Sequence, residues 1–384
     1  MKRKLRMGMI GGGTGSFIGG VHRIAAAIDG QIELVCGAFS SRPEVSKETG
    51  ETLMLHPDRV YNSYTEMIDA ESALPEGERM DVVSIVTPNH VHFEPCKLAL
   101  ENGFHVICDK PITFNTEEAL ALAEIVEKTG LIFALTHTYT GYPMIKQARE
   151  MIKSGAFGKI RKVIAEYPQG WLSTALERTG RVQAQWRTDP SKSGKAGAVG
   201  DIGTHAGNLV ETVTGLKITE LSADVSTFVD GRLLDDDANM LIRLENGAKG
   251  VLHCSQICAG EENPVNIRVY GEKGGIQWNQ HDPNTMFVKW LDKPTEVYRT
   301  GTDYMGNDAN ANTRTPAGHP EGYLEAFANI YRNFAMTVVA RMSGENPKEE
   351  HLDFPGVEDG IRGMKFIDAV IDSGENNAAW TKID

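Results

Sequence analysis

The sequence lacks any long apolar run. None of its apolar segments approaches the ~20 residues that a helix needs to cross a bilayer. The basic opening MKRKLR leads within a few residues into a glycine-rich turn, whereas a secretion signal needs an apolar segment of about 7 to 15 residues. We therefore expect neither a membrane protein nor an exported one.

Cysteines are few, and basic residues are outnumbered by acidic ones. The five cysteines are odd in number and stand mostly in apolar, strand-like sequence, which is typical of buried free thiols. The 39 Lys and Arg residues against 52 Asp and Glu give a formal net charge of -13, with no local basic patch to attract a phosphate backbone. We expect a cytoplasmic protein that binds neither nucleic acid nor membrane.

What is present first is a regular alternation of short apolar strands with helical patterns, up to residue 137 of the 384. The strand candidates are LRMGMI, QIELVCGAF, DVVSIVT, FHVIC and LIFALT, and helices are predicted over 19–28, 64–71, 91–102 and 116–129. Such alternation indicates right-handed βαβ units. Residues 1–137 are therefore predicted to form an α/β domain of the Rossmann type, with a doubly wound parallel sheet.

The remaining residues, 138–384, have a different pattern. Helices are predicted over 142–153, 203–214, 321–342 and 356–373, with several strands between the second and the third. Asn246-Gly247, a strong hairpin signal, separates ANMLIRLE from AKGVLHCSQI. We predict an α+β domain with a large, mainly antiparallel open sheet, and we expect the terminal helix to return to the first domain.

One strand candidate, NTMFVKWL at 284–291, carries apolar residues on both faces. Met286, Val288 and Trp290 share one face, and Phe287 and Leu291 share the other. A sheet whose second face is also apolar needs a cover. We therefore expect a homodimer or homotetramer that associates through the C-terminal sheet.

The glycine-rich stretch GGGTGSFIGG lies between the first strand and the first helix. A literal G-x-G-x-x-G counted from Gly11 requires glycine at position 16, where Ser16 stands. Gly11 suits the tight turn, Gly13 the close approach to a pyrophosphate, and Gly19 the packing of helix on strand. The segment from Thr14 to Ile18, which includes Phe17, is predicted to form a lengthened phosphate loop, and the flanking units disfavour a turn without ligand.

The end of the second strand has no carboxylate for the ribose of NAD. Ser40, Ser41 and Arg42 stand where such an acid is usual, and a hydroxyl and a guanidinium could accept the 2'-phosphate of NADP. Glu44, just past Pro43, is the nearest acid. The predicted cofactor is NAD or NADP, with these residues favouring NADP slightly.

Three further stretches carry a family resemblance: VTPNHVHFEPCKLALENGFHVICDKPI (86–112), KSGAFGKIRKV (153–163) and QWRTDPSKSGKAGAVGDIGTHAGNLV (185–210). Together with the glycine turn they resemble the Gfo/Idh/MocA family of NAD(P)-dependent oxidoreductases, in the usual order and over nearly the whole chain. The turn resembles that of a subgroup with a lengthened loop running into GxxHR, matched here by residues 19–23.

The resemblance implies a catalytic set of Lys110, Asp201 and His205. Oxidation of a secondary alcohol needs a base for the hydroxyl proton while hydride leaves for the nicotinamide. His205 is the implied base, Asp201 would orient it or bind a substrate hydroxyl, and Lys110 would stabilise the developing alkoxide. Taken one at a time, each has a structural alternative: Lys110 as a solvated lysine, Asp201 as a helix cap and His205 as a core or surface histidine.

Other residues are expected to line the cofactor or the substrate. A strand ends at Thr87, Pro88 and Asn89, which are expected to line the nicotinamide end of the cofactor. The resemblance adds His92, Asp109 and Lys110 to the cofactor-binding residues. His90 and His92 form an H-x-H without matching carboxylates or cysteines, so no metal site is expected. The substrate-binding candidates are Trp186 and Arg187, then Tyr139, Tyr142 and His319, with Glu321 nearby, although His319 and Glu321 also suit a capping role.

Two positions depart from the family pattern. Asp109 stands for the usual glutamate before Lys-Pro, and Asn208 for a frequent aspartate after the catalytic histidine. The implied function is a dehydrogenase acting on a secondary hydroxyl of a sugar, sugar derivative or inositol-like polyol. The alternatives are a non-redox sensor that binds nucleotide or sugar, and an isomerase or glycosidase-like enzyme that recycles its cofactor.

Overall fold

The computed structural model describes residues 3–384 and divides into two compact units. The first contains the residues up to Thr138 together with Phe327–Ile361, and the second contains Tyr139–Ala326 together with Arg362–Asp384. Within residues 3–384 no helix is both long enough and apolar enough to cross a membrane.

The first unit is built on a five-stranded parallel sheet, which confirms the predicted Rossmann fold. Its strands, in the spatial order β2-β1-β3-β4-β5, are β1 (Leu5–Gly11), β2 (Ile32–Ala38), β3 (Val82–Val86), β4 (His105–Cys108) and β5 (Phe133–Leu135). The helices of its N-terminal part are α1 (Phe17–Ile28), α2 (Pro43–Thr52), α3 (Tyr64–Ala73), α4 (Phe93–Glu101) and α5 (Thr116–Thr129).

The strand order places the functional loops at one edge of this sheet. Every residue of β3 and β4 is buried, as strands covered on both faces should be. Because β1 has β2 on one side and β3 on the other, the chain reverses its winding direction there. The carboxyl ends of β1 and β3 flank this switch point, which is where open α/β sheets bind their ligands.

Helix α1 begins at Phe17, two residues earlier than predicted. Ser16 is its N-cap, because its hydroxyl accepts a hydrogen bond from the Gly19 N–H at 3.4 Å. The prediction that Phe17 and Ile18 belong to the phosphate loop is therefore wrong, since both lie in the first helical turn. The loop is confined to residues 12–16, and the serine that breaks the glycine motif starts the helix.

The second unit contains a nine-stranded sheet in the order β13-β12-β11-β10-β6-β9-β8-β7-β14, antiparallel except for the β6–β9 pair. The prediction of a large, mainly antiparallel sheet is confirmed. Its strands are β6 (Lys162–Pro168), β7 (Ile218–Ser226), β8 (Asp237–Leu244), β9 (Lys249–Ser255), β10 (Asn266–Tyr270), β11 (Gly274–Asn279), β12 (Thr285–Trp290), β13 (Glu296–Arg299) and β14 (Thr381–Lys382). Asn246-Gly247 forms the β8–β9 hairpin, with Gly247 at a φ of 87°.

The remaining helices lie in or next to this part of the chain. They are α6 (Pro143–Lys153), α7 (Val182–Arg187), α8 (Pro190–Ser193), α9 (Thr204–Thr214), α10 (Asn307–Ala311), α11 (Tyr323–Met342) and α12 (Val357–Glu375). The division between the units falls within α11 and within α12. Helices α6 and α9 pack on one face of the nine-stranded sheet and bury its inward side chains.

The opposite face of this sheet is not covered by the same helices. In β12, Met286 and Val288 are fully buried, whereas Phe287 between them is 41% exposed. Leu241 of β8 is 52% exposed. It lies on the same face as Phe287, because a continuous row of directly paired residues joins the two across the sheet. Leu291 lies just beyond the end of β12 and is exposed.

Candidate functional site

The loop after β1 has the backbone of a dinucleotide-binding turn. Gly11 and Gly12 have positive φ values of 83° and 73°, which favour glycine. A Cβ on Gly13 would lie 2.9 Å from the carbonyl oxygen of Phe39, and a Cβ on Gly19 would meet the backbone of Gly12. Side chains are excluded at these positions, so the turn leaves room for the close approach of a pyrophosphate.

The outer part of this loop is anchored on one side and open on the other. The Thr14 N–H donates to the Thr49 hydroxyl of α2 at 2.9 Å, and the Gly13 N–H donates to Phe39 O at 3.0 Å. Thr14 is exposed, and a Cβ on Gly15 would meet nothing within 4 Å. Phe17 is 71% exposed at the start of α1, and Ile18 beside it is half-buried.

The end of β2 presents hydroxyls and a guanidinium. The Ser40 hydroxyl accepts a hydrogen bond from the Arg42 N–H at 3.1 Å, and Arg42 is the N-cap residue of α2. Ser41 and Arg42 are exposed, and so is Glu44 in the first turn of α2. These groups stand free of the core at the edge where the adenosine ribose of a dinucleotide lies in Rossmann domains.

His92 joins the turn after β3 to the turn after β4. Its Nε2 lies 2.8 Å from Thr87 O and its Nδ1 lies 2.7 Å from Pro111 O, so both ring nitrogens face backbone acceptors. Burial opposes its protonation, but Cys108, Asp109 and the Pro111 carbonyl raise the pKa of His92 to about 9. The ring is 1% exposed, and the contact of His92 with the cofactor stays a prediction.

Thr87, Pro88 and Asn89 form the turn after β3, as predicted. The Thr87 hydroxyl donates to Val91 O at 3.2 Å and is half-buried, as is Pro88, while Asn89 is buried. The segment 89–91 is a short 3-10 turn that leads into α4. His90 points to solvent, and within residues 3–384 no group of three or more His, Cys, Asp or Glu side chains is placed to hold a metal ion.

Asp109 and Lys110 follow β4 directly. The Asp109 N–H donates to Ile85 O of β3, and its Oδ1 accepts hydrogen bonds from the Lys110 N–H at 2.9 Å and the Thr136 hydroxyl at 2.8 Å. Lys110 is half-buried, and its peptide bond to Pro111 is cis. Burial, and then the positive charge of Lys110, lower the pKa of the neighbouring His137 to about 3.

In the second unit, Asp201 and His205 lie one turn apart on one continuous helical segment. Asp201 belongs to a π-helical turn, Val199–Gly203, that runs directly into α9, so it does not cap a helix. The two N–H groups at the start of the segment, those of Gly197 and Val199, donate instead to the buried carboxylate of Asp235. Such π turns are rare and are frequent at functional sites.

The Asp201 carboxylate is held by an arginine and an amide. Its Oδ2 accepts hydrogen bonds from Arg187 Nε at 3.2 Å and from Gln256 Nε2 at 2.8 Å. The Arg187 guanidinium lies 4.2 Å from the centre of the Trp186 ring and 5.9 Å from that of Trp171. The structure thus brings Asp201, Arg187 and Trp186 together, as the sequence predicted separately for each.

His205 is 8% exposed and contacts two tyrosine rings. Its ring centre lies 5.0 Å from that of Tyr139, edge to face, and 6.3 Å from that of Tyr167. The Asn263 amide donates to Tyr139 Oη at 3.0 Å, Tyr167 Oη donates to Asn263 Oδ1 at 2.8 Å, and the two hydroxyls are 2.5 Å apart. Tyr139 therefore donates to Tyr167, and this bond closes a ring of three hydrogen bonds next to the His205 imidazole.

Tyr142 and His319 lie in other surroundings. Tyr142 is 1% exposed and its ring packs 5.2 Å from that of Trp278, and its binding of substrate stays a prediction. His319 is exposed in a turn in which its Nδ1 lies 3.2 Å from Pro316 O. Glu321 accepts hydrogen bonds from Thr315 N–H and Thr315 Oγ1, which fixes the loop before α11.

Several residues at this site were not predicted: Tyr167, Gln169, Trp171, Gln256 and Asn263. Gln169 donates to Asn263 Oδ1 and accepts from the Trp171 indole N–H at 3.1 Å, which connects the hydrogen-bonded ring to the tryptophan. Three of the five lie at the carboxyl ends of β6 and β9, the one parallel pair of the sheet. The signal in the sequence was YPQGW and SQ directly after apolar strands, but it is informative only once the two strands are known to be parallel neighbours.

Two family models match the chain. Residues 5–137 match the oxidoreductase family with an NAD-binding Rossmann fold, and residues 145–277 match the GFO/IDH/MocA C-terminal domain. An uncharacterised oxidoreductase of Bacillus subtilis is 35% identical over 385 residues, which cover 100% of this chain and 98% of the relative.

The chain belongs to the Gfo/Idh/MocA family.

Solved structures give this Gfo/Idh/MocA protein the same fold over its whole length. The crystal structure of an oxidoreductase from Sinorhizobium meliloti is 44% identical, with a TM-score of 0.90 and coverage of 99% of this chain and 100% of that chain. The structure of an inositol dehydrogenase homologue from Azotobacter vinelandii, complexed with NADH and myo-inositol, is 34% identical, with a TM-score of 0.91 over 100% and 98% of the two chains.

Two further curated relatives of this Gfo/Idh/MocA protein carry names of different activities. Levoglucosan dehydrogenase of Pseudarthrobacter phenanthrenivorans is 27% identical over 79% of this chain and 81% of its own. The 2,7-anhydro-N-acetylneuraminate hydratase of Escherichia coli is 33% identical over 77% of this chain and 80% of its own. Membership of the family therefore fixes the class of cofactor and fold but leaves the substrate to be argued from the site.

Proposed function

We propose that this protein is an NAD(P)-dependent dehydrogenase that acts on a secondary hydroxyl of a sugar, sugar derivative or inositol-like polyol. The observation that carries the proposal is the pairing of Asp201 and His205 one turn apart, with the carboxylate oriented by Arg187 and Gln256 and the imidazole held by two tyrosine rings. The homologue complexed with NADH and myo-inositol supports the substrate class.

The cofactor fits the residues that are present. The glycine turn excludes side chains where a pyrophosphate approaches, and the first turn of α1 offers N–H groups beside it. Thr87, Pro88 and Asn89 end β3 on the same edge of the sheet, next to Gly11 in the register. When bound, the nicotinamide accepts or returns a hydride.

The protein's own residues handle the proton and the developing charge. His205 takes the proton of the reacting hydroxyl and returns it in the reverse reaction. Asp201, fixed by Arg187, accepts a hydrogen bond from a substrate hydroxyl or holds the imidazole. Lys110 supplies a fixed positive charge for the oxygen as its proton leaves, and the resemblance of the D-K-P turn to the family pattern is what assigns it this role.

The surroundings of Asp201 suit an uncharged, hydroxyl-rich ring. The Arg187 charge is balanced by Asp201 at 3.2 Å, so it is poorly placed to select a phosphorylated substrate. Trp171 and Trp186 are both half-buried near this pair and offer flat apolar faces for one side of a sugar ring. Gln256, which donates to Asp201, and Gln169, which accepts from the Trp171 indole N–H, are further polar groups for hydroxyls.

The choice between NAD and NADP depends on the groups at the end of β2. We propose that the protein uses NAD and can also bind NADP, because Ser41 and Arg42 can accept the 2'-phosphate of NADP. Arg42→Asp replaces the guanidinium with a carboxylate, which repels the negative 2'-phosphate. The KM for NADP is therefore expected to rise about tenfold or more relative to the KM for NAD. Steady-state kinetics with both cofactors measures the ratio, and an unchanged ratio would contradict the assignment.

A second candidate is an enzyme that reduces its cofactor only transiently, as in an isomerase or glycosidase-like reaction. The hydratase from Escherichia coli among the relatives favours keeping it. A sensor without turnover is the third, and it is disfavoured because Lys110, Asp201 and His205 are all present. Single-turnover absorbance at the nicotinamide band separates them: net dehydrogenation accumulates reduced cofactor, recycling returns it to baseline, and a sensor gives no change.

The protein is further proposed to be cytoplasmic and to form a homo-oligomer through the open face of its nine-stranded sheet. Its five cysteines are free, and Cys258 alone among them is not fully buried. The test of the main proposal is direct: incubation with NAD or NADP and a panel of inositols, neutral sugars and glycosides, followed by absorbance of the reduced nicotinamide. If the protein binds neither cofactor and reduces neither with any compound of the panel, the proposal is refuted.

A further inference from the structure

A fully buried histidine in the first unit has no role in the mechanism above. His22 lies in α1 with 0% exposure, and its Nδ1 is 2.7 Å from the Tyr331 hydroxyl. The Ser84 hydroxyl of β3 lies 2.9 Å from the same tyrosine oxygen and 3.3 Å from Nδ1. On the other side of the ring, Nε2 has no hydrogen-bond partner within 3.5 Å and lies 4.0 Å from Oδ2 of Asp109.

The surroundings determine which nitrogen carries the proton. Burial lowers the pKa of His22 to about 4, against the opposing effect of Asp109 and with Arg23 and His92 acting in the same direction as burial, so the ring is neutral. A neutral ring with its hydrogen on Nδ1 would turn the Nε2 lone pair toward the negative Asp109 oxygen, which is repulsive. The hydrogen is therefore on Nε2, and Nδ1 accepts from the Tyr331 hydroxyl.

Asp109 connects this histidine to the turn that contains Lys110. Its Oδ1 accepts from the Lys110 backbone N–H at 2.9 Å and from Thr136 Oγ1 at 2.8 Å, while Oδ2 faces His22. The carboxylate is only 17% exposed, so water weakens little the attraction between its charge and the Nε2–H 4.0 Å away. Rotation of the carboxylate would break the bond to the Lys110 backbone and shift that residue.

We propose that His22 is a positioning residue for Lys110: its Nε2–H, oriented by Tyr331, fixes the Asp109 carboxylate that holds the Lys110 backbone. The inference rests on the proposed catalytic role of Lys110. The charged or titratable groups that face the ring are Asp109 after β4, Arg23 in α1, His92 before α4 and Tyr331 in α11.

A matched pair of variants separates the two sides of the ring. In His22→Gln the amide nitrogen can occupy the place of Nε2 and keep a donor toward Asp109. In His22→Asn the shorter amide reaches only the place of Nδ1, so the contact with Tyr331 is kept and that with Asp109 is lost. We expect kcat to fall about tenfold or more in His22→Asn and to stay within about threefold of wild type in His22→Gln, with the KM for cofactor unchanged in both. Equal losses in the two variants, or full activity in His22→Asn, would overturn the proposal.

A second measurement does not need a substrate. Peptide mass spectrometry can follow the rate at which an amine-acylating reagent modifies Lys110 across a range of pH. We expect this rate to change by a factor of about three or more in His22→Asn, the equivalent of half a pKa unit, and not in His22→Gln. An unchanged acylation profile in His22→Asn contradicts the proposal, whereas a changed profile with an inactive wild-type protein would instead reject the proposed dehydrogenase function.

If both variants fail to fold, Tyr331→Phe removes the nearer of the two hydroxyls that face Nδ1, at 2.7 Å against 3.3 Å for Ser84. The same acylation assay is expected to show a change at Lys110 in the same direction as in His22→Asn, because the Nε2–H would no longer be fixed toward Asp109. Tyr331→Phe with wild-type kcat and a wild-type acylation profile would equally overturn the inference.

Discussion

At the scale of single residues, the buried histidine His105 is expected to make the stability of the protein depend on pH. His105 is 7% exposed at the start of β4, and its Nδ1 accepts a hydrogen bond from the Ile132 N–H at 2.9 Å. Burial lowers its pKa to about 4, against the effect of Asp81. Protonation of this nitrogen in the folded state would break the hydrogen bond that joins the start of β5 to β4.

The sign of the pH effect follows from the lowered pKa. The unfolded chain protonates His105 below pH ~6.5 and the folded one only near pH 4, so its stabilising contribution is present above pH ~6.5 and is lost as the pH falls toward 4. The loss is at most about 1.4 kcal/mol per pH unit. His105→Asn keeps an acceptor for Ile132 but does not titrate.

We expect the unfolding free energy of His105→Asn, measured by denaturant titration, to fall less between pH 6.5 and 4.5 than that of the wild-type protein. His22 and His137 have lowered pKa values as well and will still titrate in the variant. The comparison is of slopes, since the smaller side chain lowers stability at every pH. Identical slopes for variant and wild type would contradict the account.

At the scale of secondary-structure elements, the turn between β1 and α1 depends on one close contact. A Cβ on Gly19 would meet the Gly12 backbone, whereas one on Gly20, the next residue of α1, would meet nothing within 4 Å. The pair Gly19→Ala and Gly20→Ala therefore makes the same chemical change with and without a clash. It tests which glycine supports the turn.

Gly19→Ala is expected to cost about 1–3 kcal/mol of unfolding free energy because the helix must move away from the turn. It should also weaken NAD binding about tenfold or more, as measured by calorimetry. Gly20→Ala should be neutral or stabilise the protein by about 0.5–1 kcal/mol, since alanine is the better helix former. Similar affinities in the two variants would show that the β1–α1 contact does not shape the cofactor site.

Most elements could be predicted from hydrophobic pattern, and the exceptions have local causes. Helix α5 matches its predicted bounds, because Asn115 caps it and Gly130 ends it. Helix α2 was not predicted, because its sequence PEVSKETGET is nearly all polar. Val60 packs so closely against Gly50 of this helix that a side chain at position 50 would clash with it. Such a helix forms because tertiary contacts hold it, and these are invisible to a local pattern.

The candidate site could be predicted only in part, for the same reason. The family resemblance pointed to Asp201 and His205, which are near neighbours along the chain, and their catalytic role stays a prediction. Tyr167 contacts the His205 ring from β6, before α7 and α8, and its hydrogen-bond partner Asn263 follows β7, β8 and β9 in the chain. Hydrogen-bond partners of this kind depend on sheet order and on the parallel β6–β9 pair, which no single-segment pattern shows.

At the scale of the whole molecule, the open face of the nine-stranded sheet is proposed to be the oligomer interface. A row of paired residues crosses it from Leu241 through Val251 and Ile164 to Phe287 and Val297, interrupted by Arg268 and Gln277. An apolar row of this kind on a sheet face favours association with a second copy.

Leu241→Glu places a charge in this row and is expected to reduce the molar mass measured by light scattering from that of a dimer or tetramer toward that of a monomer. Leu120→Glu is the control, because Leu120 is similarly exposed, at 44% against 52%, but lies on α5 of the first unit. A monomeric wild-type protein, or an unchanged mass for Leu241→Glu, would reject this interface.

The most direct test of the central claim is the turnover of His205→Asn with the best substrate from the polyol panel, followed by absorbance of the reduced nicotinamide. His90→Asn, a change at an exposed histidine near the cofactor edge, is the control. We predict that His205→Asn binds cofactor as the wild type does but loses about 10² to 10⁴ in kcat, as expected for removal of a general base, while His90→Asn keeps wild-type activity. Near wild-type kcat in His205→Asn would contradict the account.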